Sequence, residues 1–125
     1  VRLYRLAKKA RHRVNGLIIK EKWLDLILSG IKDWEIRGSK TSKRETIYLI
    51  QSGSSKIMGQ VDLIGCMELT EETYEKSRNR HCIEASYNNL PYNRSYAWLL
   101  NNPVRYEKLI PYIHPQGAVI WVKGL

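Results

Sequence analysis

The sequence predicts a small, mainly β domain with a few inserted helices (α+β), its sheet curled or closed into a barrel. Three observations point there. About six short stretches are either continuously apolar or alternate apolar and polar, as strands do. The longest of them, Ile57 to Leu69, contains Gly59 and Gly65, which mark bends or bulges where a sheet curls. Only two or three segments carry helical spacing, too few for a doubly wound sheet flanked by helices.

The elements follow in order. Leu3, Leu6, Ala7, Ala10 and Val14 recur at three- and four-residue steps, a helical stripe on a cationic leader. We therefore divide the chain into a basic helical extension over residues 1–15 and one domain over 16–125. Asn15-Gly16 breaks the chain, and Leu17-Ile18-Ile19 suits a buried strand. Glu21 to Ser29 pairs Trp23 with Ile27 and Leu24 with Leu28 at helical spacing, and Gly30 is placed to end the helix in the left-handed conformation. Asp33 to Arg37 alternates, with Trp34 and Ile36 on one face and Asp33, Glu35 and Arg37 on the other.

Gly38 to Glu45 is a polar loop, and Thr46 to Gln51 a buried strand closed by Ser52-Gly53-Ser54-Ser55. After the long strand, Thr70-Glu71-Glu72 has the pattern of a helix N-cap with acidic first-turn residues, opening a short helix through about Ser77. Arg78 to Arg94 reads as irregular and polar. Tyr96 to Leu100 is a strand, Asn101-Asn102-Pro103 a turn, Val104 to Pro111 extended and Gly117 to Lys123 a closing strand.

Composition bounds the function. A chain of 125 residues with 43% hydrophobic content can bury one core without metals or disulfides. Phe is absent, so eight Tyr and four Trp supply the aromatic mass, and both can bury a ring while offering a hydrogen bond. The net charge of +9 draws such a protein toward nucleic acid or another anionic surface. Residues 1–14 hold Arg2, Arg5, Lys8, Lys9, Arg11 and Arg13 and no acid, so most of the excess lies in the leader. Cys66 and Cys82 form no metal motif, and a reduced protein of the cytoplasm is the expectation. No apolar run reaches the eighteen or so residues of a membrane span, and the basic start lacks the apolar stretch of a secretory signal. No membrane partner, cofactor or metal is expected, and the chain is expected to be a monomer.

The densest chemistry is the run Gly30-Ile31-Lys32-Asp33-Trp34-Glu35-Ile36-Arg37-Gly38. Lys32, Glu35 and Arg37 lie within six residues between two apolar elements, a set suited to a polar, partly anionic ligand such as a nucleotide. Each also has a plainer reading. Lys32 can cap the carbonyl end of the helix before it, and Glu35 with Arg37 can be a surface ion pair of little worth. Arg37, Lys40, Lys43 and Arg44 form a cationic strand end and loop, either solvated or a salt-sensitive phosphate tether. The four Trp occupy core-patterned positions. Trp23, which begins the first helix, is the one placed to stack on a base. Ser52 follows a strand and Tyr96 opens one, and either hydroxyl is a candidate ligand contact. His81, in a polar loop, is expected to be solvated, and His114 to be structural. No Gly-rich phosphate loop, Ser–His–Asp order or zinc spacing is present.

Taken together, several segments resemble ASCH domains, members of the PUA-like superfamily. They are Gly16-Leu17-Ile18-Ile19, Trp23 with Leu26-Ile27, Ser29-Gly30-Ile31-Lys32 and Trp34-Glu35-Ile36-Arg37. Ile57-Met58-Gly59-Gln60-Val61 followed by Cys66 resembles the family's central strand. Tyr96-Ala97-Trp98 and the ending Pro111 to His114, Gln116-Gly117-Ala118 and Trp121 resemble its last third. The resemblance covers roughly residues 16–123. It implies a small closed β-barrel with peripheral helices, and a cleft beside the first helix and the Lys–Glu–Arg strand. Members of the family are generally inferred to bind RNA or modified nucleosides. Some small bacterial relatives remove the acetyl group of N4-acetylcytidine, and others have been proposed as ribonucleases. In the amidohydrolase-like members a Lys is followed three residues later by Thr, whereas here Lys32 is followed by Glu35.

The sequence thus leads to an RNA- or nucleic-acid-binding domain holding a nucleotide through Trp23, Lys32, Glu35, Arg37, Lys40, Lys43, Arg44, Ser52 and Tyr96. The alternative is a hydrolase of a modified nucleoside, or a ribonuclease, with Lys32 and Glu35 as its catalytic pair. A third reading is a protein-interaction module whose basic leader docks an acidic partner.

Overall fold

The structure, a computed structural model, describes residues 13–125. The helical extension expected over residues 1–15 falls outside that range save for residues 13–15, which are not helical. Among the described residues six strands form one sheet in the order β2-β5-β4-β3-β1-β6. In chain order these are β1 (Gly16–Ile19), β2 (Trp34–Arg37), β3 (Glu45–Gln51), β4 (Lys56–Glu68), β5 (Tyr96–Pro111) and β6 (Trp121–Val122). Helix α1 (Glu21–Leu28) joins β1 to β2, while α2 (Glu71–Lys76), α3 (Arg78–His81) and a 3₁₀ turn (Tyr87–Asn89) fill the β4–β5 connection. The sheet is curled into a half-barrel. β1 runs parallel to β3, and the other neighbours pair antiparallel.

The curl comes from the two long strands. β4 and β5 slip register between Ile57 and Gly59, between Gln60 and Asp62, and between Leu63 and Gly65, and each bulge adds local twist. The two glycines singled out in the sequence sit at these slips. Asn102 adopts φ +53° within β5. The turn expected at Asn101-Asn102-Pro103 is therefore a bulge inside one continuous strand. Asn tolerates the left-handed region, so the ladder resumes at Val104 instead of reversing. The curl brings β2 back toward β1, and the Arg37 Nη2 donates to the Ile18 carbonyl across that gap at 3.2 Å.

The α1 helix buries Leu24, Ile27 and Leu28 against β3, β4 and β5, joining Leu17, Leu49, Leu63 and Trp98 in the main core. It stops where expected. Gly30 takes φ +82°, a conformation free of strain only for glycine, and the Lys32 amide then returns to the Leu26 carbonyl. The chain leaves the helix with Lys32 aimed inward. A second, smaller core gathers Trp34, Ile36, Leu69, Tyr74 and Ala97 under α2. Thr70 caps that helix, accepting from the Thr73 amide at 3.1 Å. The closing strand is shorter than expected, with only Trp121–Val122 paired to β1.

Candidate functional site

Between α1, the end of β1, β2 and the segment after α3 lies an open cleft of about 420 Å³. That volume is within the usual range for a small-molecule site. Lys20, Trp23, Lys32, Glu35, Arg37 and Ser52 all line it. All but Lys20 are candidates expected from the sequence; Lys32, Glu35 and Arg37 form the convergent set, and Ser52 joins them because the Ser52 amide is held by the Ile19 carbonyl at 2.9 Å.

Lys32 is not a surface cap. It is 1% exposed, and its Nζ donates to the His81 carbonyl at 2.5 Å and lies 3.8 Å from Glu35 Oε1. The same ammonium sits 4.8 Å from the centre of the Trp23 ring. Burial lowers the Lys32 pKa from its ordinary value, and the Glu35 carboxylate acts against that shift. Glu35 is 5% exposed, and its second oxygen accepts from Arg37 Nε at 2.8 Å. Arg37 is thereby clamped between Glu35 and the Ile18 carbonyl, with its guanidinium 5.8 Å from the Trp98 ring. The lining carries three cations and one carboxylate among the described residues. Capacity remains: a guanidinium has five N–H donors and Arg37 spends two on protein, while each Glu35 oxygen has more than one lone pair.

The other sequence candidates lie apart from this lining. Lys40 is exposed on the loop after β2. Lys43 places its ammonium 5.3 Å from the Trp121 ring. Arg44 folds back onto its own loop, donating to the Thr41 and Lys43 carbonyls. Tyr96 pairs with Arg37 across β2 and β5 and packs its ring against the main core. The geometry thus separates a built cleft from a cationic loop beside the sheet.

The cleft also has a wall that pattern reasoning missed. Ile83, Ala85, Asn89, Leu90, Pro91 and Tyr92 line it from the segment read as irregular and polar. That segment is fastened by side chains from α2 and α3. Arg78 donates to the Ile83 and Glu84 carbonyls and to Glu75, Glu75 accepts from the Tyr87 amide, and the Tyr74 hydroxyl donates to the Ala85 carbonyl. The spread of polar residues satisfies backbone in a loop with no ladder of its own. The one sequence signal was the stiff pair Pro91-Tyr92 within a polar run.

His81 overturns its expectation of being solvated. It is wholly buried and stacked on Tyr74 with ring centres 4.1 Å apart. Its Nδ1 accepts from the Ile83 amide at 3.0 Å, which leaves Nε2 as the N–H that donates to the Tyr74 carbonyl at 2.9 Å. Burial first, then the nearby Lys32 and Arg78 charges, push its pKa below the ordinary 6.5, against the Tyr74 carbonyl and Glu75. A group depressed in this way binds its proton in the unfolded chain first. Stability should therefore fall as pH drops from about 6.5 toward the lowered folded value. Urea midpoints measured at pH 7.5 and 5.5 should show that loss, and His81→Phe should flatten the slope. An unchanged slope in the variant would mean that His81 is not the group responsible.

Among the described residues no cluster of His, Cys, Asp and Glu could hold a metal ion, and no helix is long and apolar enough to cross a membrane.

A curled six-stranded half-barrel with a helix after its first strand is a PUA-like architecture. The ASCH domain family model matches residues 17–110, and the chain belongs to that family. The fold is similar to the crystal structure of ASCH from Zymomonas mobilis, with a TM-score of 0.63 and 15% identity, covering 79% of this chain and 73% of that one. A single-residue variant of the same Zymomonas mobilis protein gives a TM-score of 0.65 at 14% identity, covering 88% and 87%. Among curated proteins none matches.

Proposed function

We propose that this ASCH domain binds RNA and holds one nucleotide in the cleft beside α1. The observation that carries the reading is the convergence of Lys32, Glu35 and Arg37 on one solvent-reachable hollow. Burying two charged side chains costs several kcal/mol, which geometry and pairing only partly offset. A ligand that uses their remaining donors and lone pairs gives the arrangement a purpose. Arg37 meets phosphate or base carbonyl oxygens, Lys32 holds the Glu35 carboxylate from beneath, Lys20 adds charge to the lining, and Glu35 accepts from an N–H of the base. Trp23 offers an indole face, although the Lys22 and Lys32 ammonium groups already lie 4.7 and 4.8 Å from its centre. A base stacking there displaces the exposed Lys22. The family's frequent link to RNA binding agrees with this reading.

The test is a titration with short oligoribonucleotides at low and at physiological salt, followed by tryptophan fluorescence. Affinity should fall as salt rises. Arg37→Ala should weaken binding about ten- to hundredfold, the worth of a hydrogen bond to a charged group. It should also lower the salt slope by about one. Circular dichroism checks that the variant is folded. Binding that ignores both salt and Arg37 would remove the proposal.

One observation favours a second reading. An amine with a lowered pKa beside a carboxylate is a plausible acid–base pair for hydrolysing a modified nucleoside. Two features oppose it: Lys32 is tied to the His81 carbonyl, and Glu35 stands where amidohydrolase-like relatives carry Thr. Release of acetate from N4-acetylcytidine, lost in Lys32→Met, would establish the enzyme.

A further inference from the structure

We propose that Tyr92 is a stacking wall for the bound base, seated over the bare backbone of Gly38. The inference rests on the cleft being the nucleotide site. Tyr92 is 38% exposed and lines the cleft, yet it belongs to none of the three hydrophobic clusters. Among the described residues it has no hydrogen bond, ring partner or cation. Trp23, the other aromatic of the lining, is engaged with two ammonium groups. Tyr92 is therefore the uncommitted aromatic face in the hollow.

Its position is built. Leu90 packs into the cluster of Trp34, Ile36 and Tyr74, and the Leu90 amide closes the 3₁₀ turn on the Tyr87 carbonyl. Pro91 then fixes its own φ and holds Leu90 extended, at φ −68° and ψ +143°. The ring lands on Gly38, directly after the clamped Arg37. A Cβ at position 38 would lie 2.6 Å from Tyr92 Cδ1 and 3.1 Å from Cγ. Gly38 is not among the residues with positive φ, so the backbone there does not call for glycine. The missing side chain makes room for the ring. An aromatic face beside a guanidinium that can take an anionic oxygen is the chemistry of a stacked base with its phosphate or carbonyl held alongside.

The experiment compares Tyr92→Phe, Tyr92→Leu, Gly38→Ala and Arg37→Ala in titrations with the ribonucleoside 5′-monophosphates and short oligoribonucleotides. Stacking on one aromatic predicts about a tenfold loss or more in Tyr92→Leu and near-native affinity in Tyr92→Phe. Gly38→Ala should follow the Leu variant, since the new methyl group displaces the ring. Nuclear Overhauser contacts should connect the Tyr92 ring to base protons in the wild-type complex. Native affinity in Tyr92→Leu, beside a large loss in Arg37→Ala, would overturn the wall and leave the cleft standing. Equal losses in the Phe and Leu variants, without contacts from ring to base, would likewise overturn it. Failure of the wild type to bind any of these ligands would end both proposals.

Discussion

Replacing Glu35 with Ala is expected to destabilise the domain by about 3–5 kcal/mol, the usual cost of breaking a buried pair by removing one partner. Glu35 is the carboxylate shared by two cations. Lys32 Nζ is 3.8 Å from one of its oxygens, and Arg37 Nε is 2.8 Å from the other. Without it, a nearly inaccessible ammonium and a mostly covered guanidinium face each other with nothing between. Water can relieve Arg37, which borders the open cleft, but Lys32 has little access to it. Glu35→Gln should cost less, because the amide oxygen can still accept from Arg37 Nε. Urea unfolding measures both. A loss below about 1 kcal/mol for Glu35→Ala would place the carboxylate among ordinary surface pairs. The buried electrostatic cluster would then be the wrong description of the site.

Gly59→Ala should cost about 3 kcal/mol, at the upper end of ordinary overpacking. A Cβ there would lie 2.3 Å from the Val104 carbonyl oxygen of β5 and 2.9 Å from Leu28 Cδ2 of α1. The first neighbour is backbone and cannot step aside without opening the β4–β5 ladder at its register slip. The second is the last residue of the helix that presents Trp23 and leads into Lys32. Displacing that helix should also weaken ligand binding, although position 59 touches nothing in the cleft. Chemical unfolding gives the first effect, and the oligoribonucleotide titration the second. Gly65→Ala is the useful contrast. There the nearest obstacle is a flexible Leu99 methyl at 2.9 Å, so a smaller cost is expected.

The parts of this protein governed by local chemistry were legible in the sequence. Helix α1, its glycine stop, the alternation of β2 and the Thr70 cap each follow from residues within one turn or one strand. The convergence of Lys32, Glu35 and Arg37 was legible for the same reason, since six residues span a helix exit and a strand. Long-range contacts were not. Asn101-Asn102-Pro103 has turn composition, and only pairing along β4 keeps it within one strand. His81 looked like a solvated loop histidine because its partners are backbone groups of Tyr74 and Ile83, which side-chain patterning does not register. The wall from Ile83 to Tyr92 is invisible to periodicity, having none. It is held by Tyr74 and Glu75, which lie in a segment read only as a short helix, and by Arg78, read as the start of the irregular run.

Charge was legible in amount but not in placement. Lys40, Lys43 and Arg44 looked continuous with Arg37 along the chain. The loop after Gly38 turns them away, and the Trp98 indole N–H anchors that loop by donating to the Ser39 carbonyl at 2.9 Å. The sequence gives no sign of which side of a loop faces a cleft formed by residues about fifty positions further along.

A nucleotide held between α1, β2 and the wall ending at Tyr92 would perturb the residues it touches. Amide and side-chain chemical-shift mapping of the labelled protein with a short oligoribonucleotide tests this placement most directly. Saturable shifts are expected to concentrate at Lys20, Trp23, Glu35, Arg37, Ser52, Asn89 and Tyr92, with small changes at Lys40, Lys43 and Arg44. Shifts confined to the 40–44 loop with the cleft signals unmoved would contradict it.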